Sequence, residues 1–418
     1  MSMIFRLQPA RATVLGAALV AVLVPACGET ASTDDHPVPT ATSLFPSSIT
    51  AGTSEVDLTV MGSDFVPASR VQFDGIDHAT LFVSDNLLRA PILASELLQP
   101  RTIEISVFTP APGGGTSAAL SFTIEPALPP GTTLELLALG GTPHGVAVAP
   151  DGTICVSQIA IDAITCGTVT PTGQAWARTI TVGNVPAHVA LNPAGTRAYT
   201  ANQFSSSVSV VDVAAGTVTA TIPLSDGGFN LLVSPNGSRL YVTTASGTLH
   251  VIDTGTNQVL TTLAVGPAAN GLAFDSTAGV LYVSARDANT VTAIDAAADT
   301  VTRVYSVSGM PQRLALAPAG GTLYVANEVA GLDELNLVSG SRLSLVAVPP
   351  GAVGLAISPD GALLFVTNPP GGLLYAVDAA SRSRLYQVPM GRPRNVAFTR
   401  DGTTAIVTDE TGLVAFIR

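Results

Sequence analysis

The sequence predicts an all-β protein: a small antiparallel sandwich followed by a seven-bladed β-propeller, closed by a strand from upstream of its first blade. Three observations carry this. A unit of similar sequence recurs between Pro143 and Arg418, with its first apolar residue at Val146, Val189, Leu231, Leu272, Leu314, Leu355 and Val396, a spacing of 41–43 residues. Each unit holds several short β-prone runs, and a period near 40 of this kind is that of a propeller blade. Residues 40–126 lack the period but alternate apolar and polar residues between Gly, Pro and Asp turns.

The N-terminus predicts export. Arg6 and Arg11 precede an apolar stretch from Ala12 to Val24, and small residues surround Ala26-Cys27-Gly28. Residues 1–26 thus read as a signal peptide whose apolar part is too short to span a bilayer comfortably. The run before Cys27 resembles a bacterial lipobox, which implies that the thiol is acylated and anchors the protein to the membrane. The polar, acidic segment 27–39 then serves as a flexible tether. Cell-envelope placement follows, periplasmic or surface-exposed. The basic residues are all Arg, 18 of them against 30 acidic residues, for a net charge of −12. Without a basic stripe, nucleic acid is excluded as a partner.

In 40–126, Asp57–Val60, Arg70–Phe73, Thr102–Val107 and Leu120–Ile124 alternate as strands of an antiparallel sandwich. The opening Ser43-Leu44-Phe45-Pro46, the Gly62-Ser63-Asp64-Phe65 turn and the Thr109-Pro110-Ala111-Pro112-Gly113-Gly114 approach to the last strand resemble the IPT/TIG family. That resemblance implies an immunoglobulin-like module used as a spacer or binding domain at cell surfaces. His78 reads as an exposed loop residue. Residues 127–131, rich in Pro, form a stiff linker to a propeller over 132–418.

Within a blade, the first apolar strand ends at a turn such as Pro150-Asp151-Gly152 or Pro359-Asp360-Gly361, where Pro presets φ and Gly takes the left-handed position. The second strand carries Tyr241, Tyr282, Tyr324 or Phe365. The third ends in Asp212, Asp253, Asp295 or Asp378, which read as turn formers and not as catalytic acids. The units resemble the YVTN family of β-propeller repeats at Tyr241-Val242-Thr243, Tyr324-Val325-Ala326-Asn327 and Phe365-Val366-Thr367-Asn368. This implies an exported propeller and no particular reaction. Cys155 and Cys166 align with Tyr199 and Val210 on consecutive strands of the first unit; they read as a disulfide across a hairpin or, alternatively, as two small buried thiols. The seventh unit has only three strands, and Thr132–Leu139 is the natural supplier of the fourth.

Aligning the units places two rings of residues at the channel mouth. One holds His144, Ala187, Phe229, Asn270, Gln312, Val353 and Arg394; the next holds Gly145, His188, Asn230, Gly271, Arg313, Gly354 and Asn395. His144, His188, Asn230, Asn270, Gln312, Arg313, Arg394 and Asn395 are the candidate ligand-binding set, suited to a small anion or to a protein or peptide. The arginines have four candidate acidic partners in nearby loops: Asp287, Glu328, Asp409 and Glu410. The role of His250 is unreadable. No nucleophile elbow, zinc motif or haem-attachment motif occurs, and the single Trp176 argues against a quinone-stacking propeller, so no cofactor or metal is expected. The reading is a binding or scaffold lipoprotein. The alternative is a lactonase-type hydrolase or lyase, with His144 or His188 as general base and Arg313 orienting a carboxylate.

Overall fold

The structure is a computed structural model that describes residues 35–418 apart from 51–54, 98–100, 126–131 and 346. The signal peptide, Cys27, most of the tether and the linker lie outside the described residues.

From Pro143 onward the chain makes four-stranded antiparallel sheets in strict succession. Blades 1 to 6 begin with strands Pro143–Val148, Pro186–Leu191, Gly228–Val233, Ala269–Asp275, Pro311–Leu316 and Leu355–Ile357. Blade 7 takes Pro393–Phe398, Ala405–Asp409 and Leu413–Ile417 from the C-terminus and Leu134–Ala138 from upstream. The join is antiparallel, with Leu134 opposite Ile417, Leu136 opposite Ala415 and Ala138 opposite Leu413. Thr133 and Arg418 exchange backbone bonds of 2.8 and 3.0 Å beyond it. Without this strand the row of backbone groups on Leu413–Ile417 would be an open edge.

Turn chemistry fixes each blade. Gly152, Gly237 and Gly361 sit at φ +85°, +76° and +77°. The Asp at each third-strand end caps its turn: Asp253 accepts from the Thr256 N–H at 2.7 Å and Asp378 from the Ser381 N–H at 2.7 Å. Hydrogen bonding from the backbone and hydroxyl of Thr256, and from the hydroxyl and backbone of Ser381, lowers the two pKa values.

Packing between blades follows from the second-strand aromatics. Tyr199, Tyr241 and Phe365 are almost wholly buried. Tyr199 sits in one cluster with Leu231, Leu240 and Ile252 of the next blade. Each such ring contributes about 2–3 kcal/mol by removal from water. Arginines add polar clasps between neighbours: Arg197 donates to the Thr254 carbonyl at 2.9 Å and Arg178 to that of Ala215 at 2.7 Å.

Cys155 and Cys166 are opposite one another and joined, with 4.1 Å between Cα atoms and eleven residues of sequence separation. Closing so short a loop stabilises by about 3 kcal/mol in the chain-entropy model. Cys155→Ser with Cys166→Ser should lower the unfolding free energy measured in urea by about that amount, with a slope no shallower than the native one because the unfolded chain is freer; an unchanged free energy would show that the pair is not joined in solution.

Residues 40–125 carry further strands. Thr40–Phe45 pairs with Val56–Ser63, and Leu81–Ser84 with Leu87–Ile92. Arg70–Phe73 pairs with Arg101–Thr109, and Ser48–Thr50 runs parallel to Leu120–Glu125. His78 lies outside the strands, as the sequence predicts, but is half-buried where an exposed residue is expected, because it stacks on Phe73 with 3.8 Å between ring centroids. The aromatic face beside it offers more than solvent does.

Candidate functional site

The first strand of almost every blade breaks register at the ring positions: between Pro143 and Val146, Pro186 and His188, Gly228 and Asn230, Ala269 and Leu272, Pro311 and Leu314, and Pro393 and Val396. A bulge adds a residue without a partner and re-aims its side chain. Here the extra residues are the ones the repeat alignment put at the mouth. All seven of the first ring, with Arg313, Gln203, Ala268, Arg286 and Glu328, line one cavity of about 310 Å³.

A belt of hydroxyls holds the ring together. Thr243, Ser284, Thr367 and Thr408 each donate to a carbonyl of the following blade: Asn270 at 3.0 Å, Gln312 at 2.7 Å, Arg394 at 2.9 Å and His144 at 2.7 Å. The approach is close enough that a Cβ on Gly271 would lie 2.2 Å from the Gln312 carbonyl oxygen. This explains the glycine there.

Five of the eight candidate residues reach the cavity wall: His144, Asn270, Gln312, Arg313 and Arg394. Three do not. Asn230 is buried and its Oδ1 accepts from the Leu231 N–H at 2.9 Å, because a short amide satisfies its own backbone more cheaply than it reaches the channel. Asn395, also buried, accepts from Arg313 Nε at 2.9 Å and donates to the His144 carbonyl at 2.7 Å. His188 is half-buried behind the wall, and its Nδ1 has no hydrogen-bond partner. The Val189 carbonyl is near enough to favour the imidazolium slightly but makes no well-formed bond to that nitrogen. Phe229 and Val353 belong to the wall and do not fill the space.

The acids are distributed unevenly. Arg286, which the sequence reading passed over, takes Glu328 in a two-pronged pair at 3.2 and 2.9 Å, and also Asp287 at 2.9 Å. Asp409 is spent on the backbone N–H groups of Gly391 and Arg392, at 2.8 and 3.0 Å. Glu410 faces Arg394 at 3.7 Å, Arg392 at 3.3 Å and His144 at 3.8 Å. Arg313 has only amide partners, Asn395 and, at 3.5 Å, Asn270. Burial, with Arg394 nearby, lowers its pKa to about 9, so the guanidinium is still charged at neutral pH. A cation deep in the disc with no carboxylate against it is the site's dominant electrostatic fact.

Both histidines are held neutral. His144 Nδ1 donates to the Ala187 carbonyl at 2.5 Å, leaving the Nε2 lone pair toward Glu410. Burial, then Arg394, brings its pKa down to about 3. Burial, then Arg313, drives that of His188 well below the usual range. A folded-state pKa below the unfolded value means that the unfolded chain binds the extra proton first. Stability is therefore full above about pH 6.5 and declines as the pH falls toward 3. His144→Gln should flatten that decline in urea titrations across the window, and an identical pH profile would contradict the burial of a neutral ring.

His250, by contrast, is buried beneath Ser225, whose hydroxyl lies 3.1 Å from its Nε2, with its Nδ1 unpartnered. Among the described residues no group of three or more His, Cys, Asp or Glu side chains is arranged to hold a metal ion.

Residues 138–333 match the family described as "Lactonase, 7-bladed beta-propeller". Two curated relatives, both named "Uncharacterized protein YncE", come from Salmonella typhimurium and Salmonella typhi. They are 30% and 29% identical over 150 residues, which is 34% of this chain and 42% of each relative. The chain thus spans less than half the length of the curated relatives it matches. Among solved structures, a chain of Kuenenia stuttgartiensis hydrazine synthase superposes with a TM-score of 0.61 at 19% identity, covering 66% of this chain and 96% of that one. At such identity the likeness is one of fold. Sheets and comparisons together make this a seven-bladed β-propeller protein.

Proposed function

We propose that the propeller binds a small organic anion at its channel mouth, in a protein that is exported and held at the cell envelope by a lipid on Cys27. In this reading residues 40–126 form an immunoglobulin-like spacer. The observation that carries the binding reading is Arg313, whose charge meets amide oxygens and no acid. A half-buried charge without an acidic partner is costly unless a ligand supplies one. Carboxylates fit the forked donor geometry of the guanidinium.

Calorimetric titration of the protein with monocarboxylates, sugar acids and phosphate should give saturable binding of at least one class. No binding by any of them would overturn the reading. The anchor is tested by metabolic labelling with palmitate, expected to be lost in Cys27→Ser.

A second reading, hydrolysis of a lactone, draws on the family match over residues 138–333 and on the free Nε2 lone pair of His144. An imidazole with a pKa near 3 is a weak base at neutral pH, which places this reading second. Turnover of a lactone panel that falls in His144→Gln, with anion binding kept, would promote it.

A further inference from the structure

The central cavity does not end at its own wall. A groove of about 750 Å³ adjoins it and shares Glu328, Val353 and Arg394. Beyond that neck the groove is walled by Pro369 and Pro370 and carries a further guanidinium, Arg392. Three arginines therefore follow one another: Arg313 in the cavity, Arg394 at the neck and Arg392 in the groove.

Their compensation is incomplete. Arg394 and Arg392 face the same single carboxylate, Glu410, at 3.7 and 3.3 Å, and Arg313 faces none. Glu328 offsets Arg394 only through space, because both its oxygens take bonds from Arg286 and one also accepts from Gln312, and it leaves Arg313 unanswered. Between Arg313 and Arg392 the shared neck carries Val353 beside Arg394 and Glu328, whose opposite charges offset each other, and the groove beyond it is walled by the proline pair.

We propose that the ligand is a linear dianion whose two anionic groups are separated by an apolar spacer, one group on Arg313 and the other on Arg392. This deepens the anion-binding reading and rests on it. Arg313 supplies the deep contact. Arg392, whose side chain is 65% exposed, supplies a weaker one and so selects for length and charge number more than it adds affinity.

The test compares unbranched monocarboxylates with α,ω-dicarboxylates of increasing spacer length, titrated calorimetrically into the full protein and its Arg392→Gln variant. At one spacer length the native protein should prefer the dicarboxylate by about three- to tenfold. Arg392→Gln should erase that preference while leaving the monocarboxylate within about twofold of its native affinity. Equal affinity for both series, or a variant that weakens both alike, would overturn the dianion proposal while leaving the anion site standing. Absence of binding by every carboxylate would remove the underlying site as well.

Discussion

Replacing Arg313 by Met is expected to make the protein more stable and unable to bind its anion. The guanidinium is half-buried on the wall of the central cavity, is charged at neutral pH and is answered only by the amides of Asn395 and Asn270. An apolar chain of similar volume removes the desolvation penalty and leaves two amide oxygens beside an open cavity. The net gain should be about 2–3 kcal/mol, or roughly 3–5 °C in thermal midpoint for a domain of this size. Loss of a charge-assisted fork should weaken carboxylate binding about 10- to 100-fold. Differential scanning calorimetry and titration calorimetry on one sample read both effects. A variant that is less stable than the native protein would mean that Arg313 is a structural clasp and not a preserved binding charge.

The second large effect concerns closure of the ring. Deleting Thr132–Leu139 should leave Leu413–Ile417 as a bare edge and uncover the cluster that Leu137 and Leu139 pack against, formed by Val146, Ile406, Val414 and Phe416. Five paired residues and their partly buried leucines together stabilise by about 4 kcal/mol, so the deleted protein should aggregate or unfold well below the native midpoint. Appending the same eight residues after Arg418 through a flexible linker, in an otherwise deleted chain, should restore the native midpoint to within a few degrees. Failure of that permuted chain, or a deletion without effect, would contradict the closure.

The architecture was legible because a repeat reports itself. The positions Val146 to Val396 return at nearly constant spacing, and the missing strand of the last unit points to Thr132–Leu139. Alignment of repeats also located the mouth, since residues at one position of every blade must form a ring if the blades do. What alignment could not give was how each side chain spends its hydrogen bonds. Asn230 and Asn395 share a ring position with Arg313, yet one folds onto its own backbone and the other props the arginine. Glu328 stood as a partner for the mouth arginines, but Arg286, from a neighbouring blade and outside both rings, captures it. Such choices depend on which of several nearby donors arrives with the better angle. The bulges at the ring positions carry no residue signature beyond the repeat itself, so the cavity they create had to be seen.

Pairing of the two ends underlies the site, because only a closed ring brings His144 of the first blade beside Arg394 and Glu410 of the last. The most direct test is a cross-link between strands distant in sequence. Leu136 and Ala415 lie opposite each other, so Leu136→Cys with Ala415→Cys should oxidise spontaneously. A non-reducing digest should yield the joined peptides from nearly all molecules, with native carboxylate binding retained. Free thiols at both positions in folded protein, or either introduced thiol joined to a different cysteine, would contradict it.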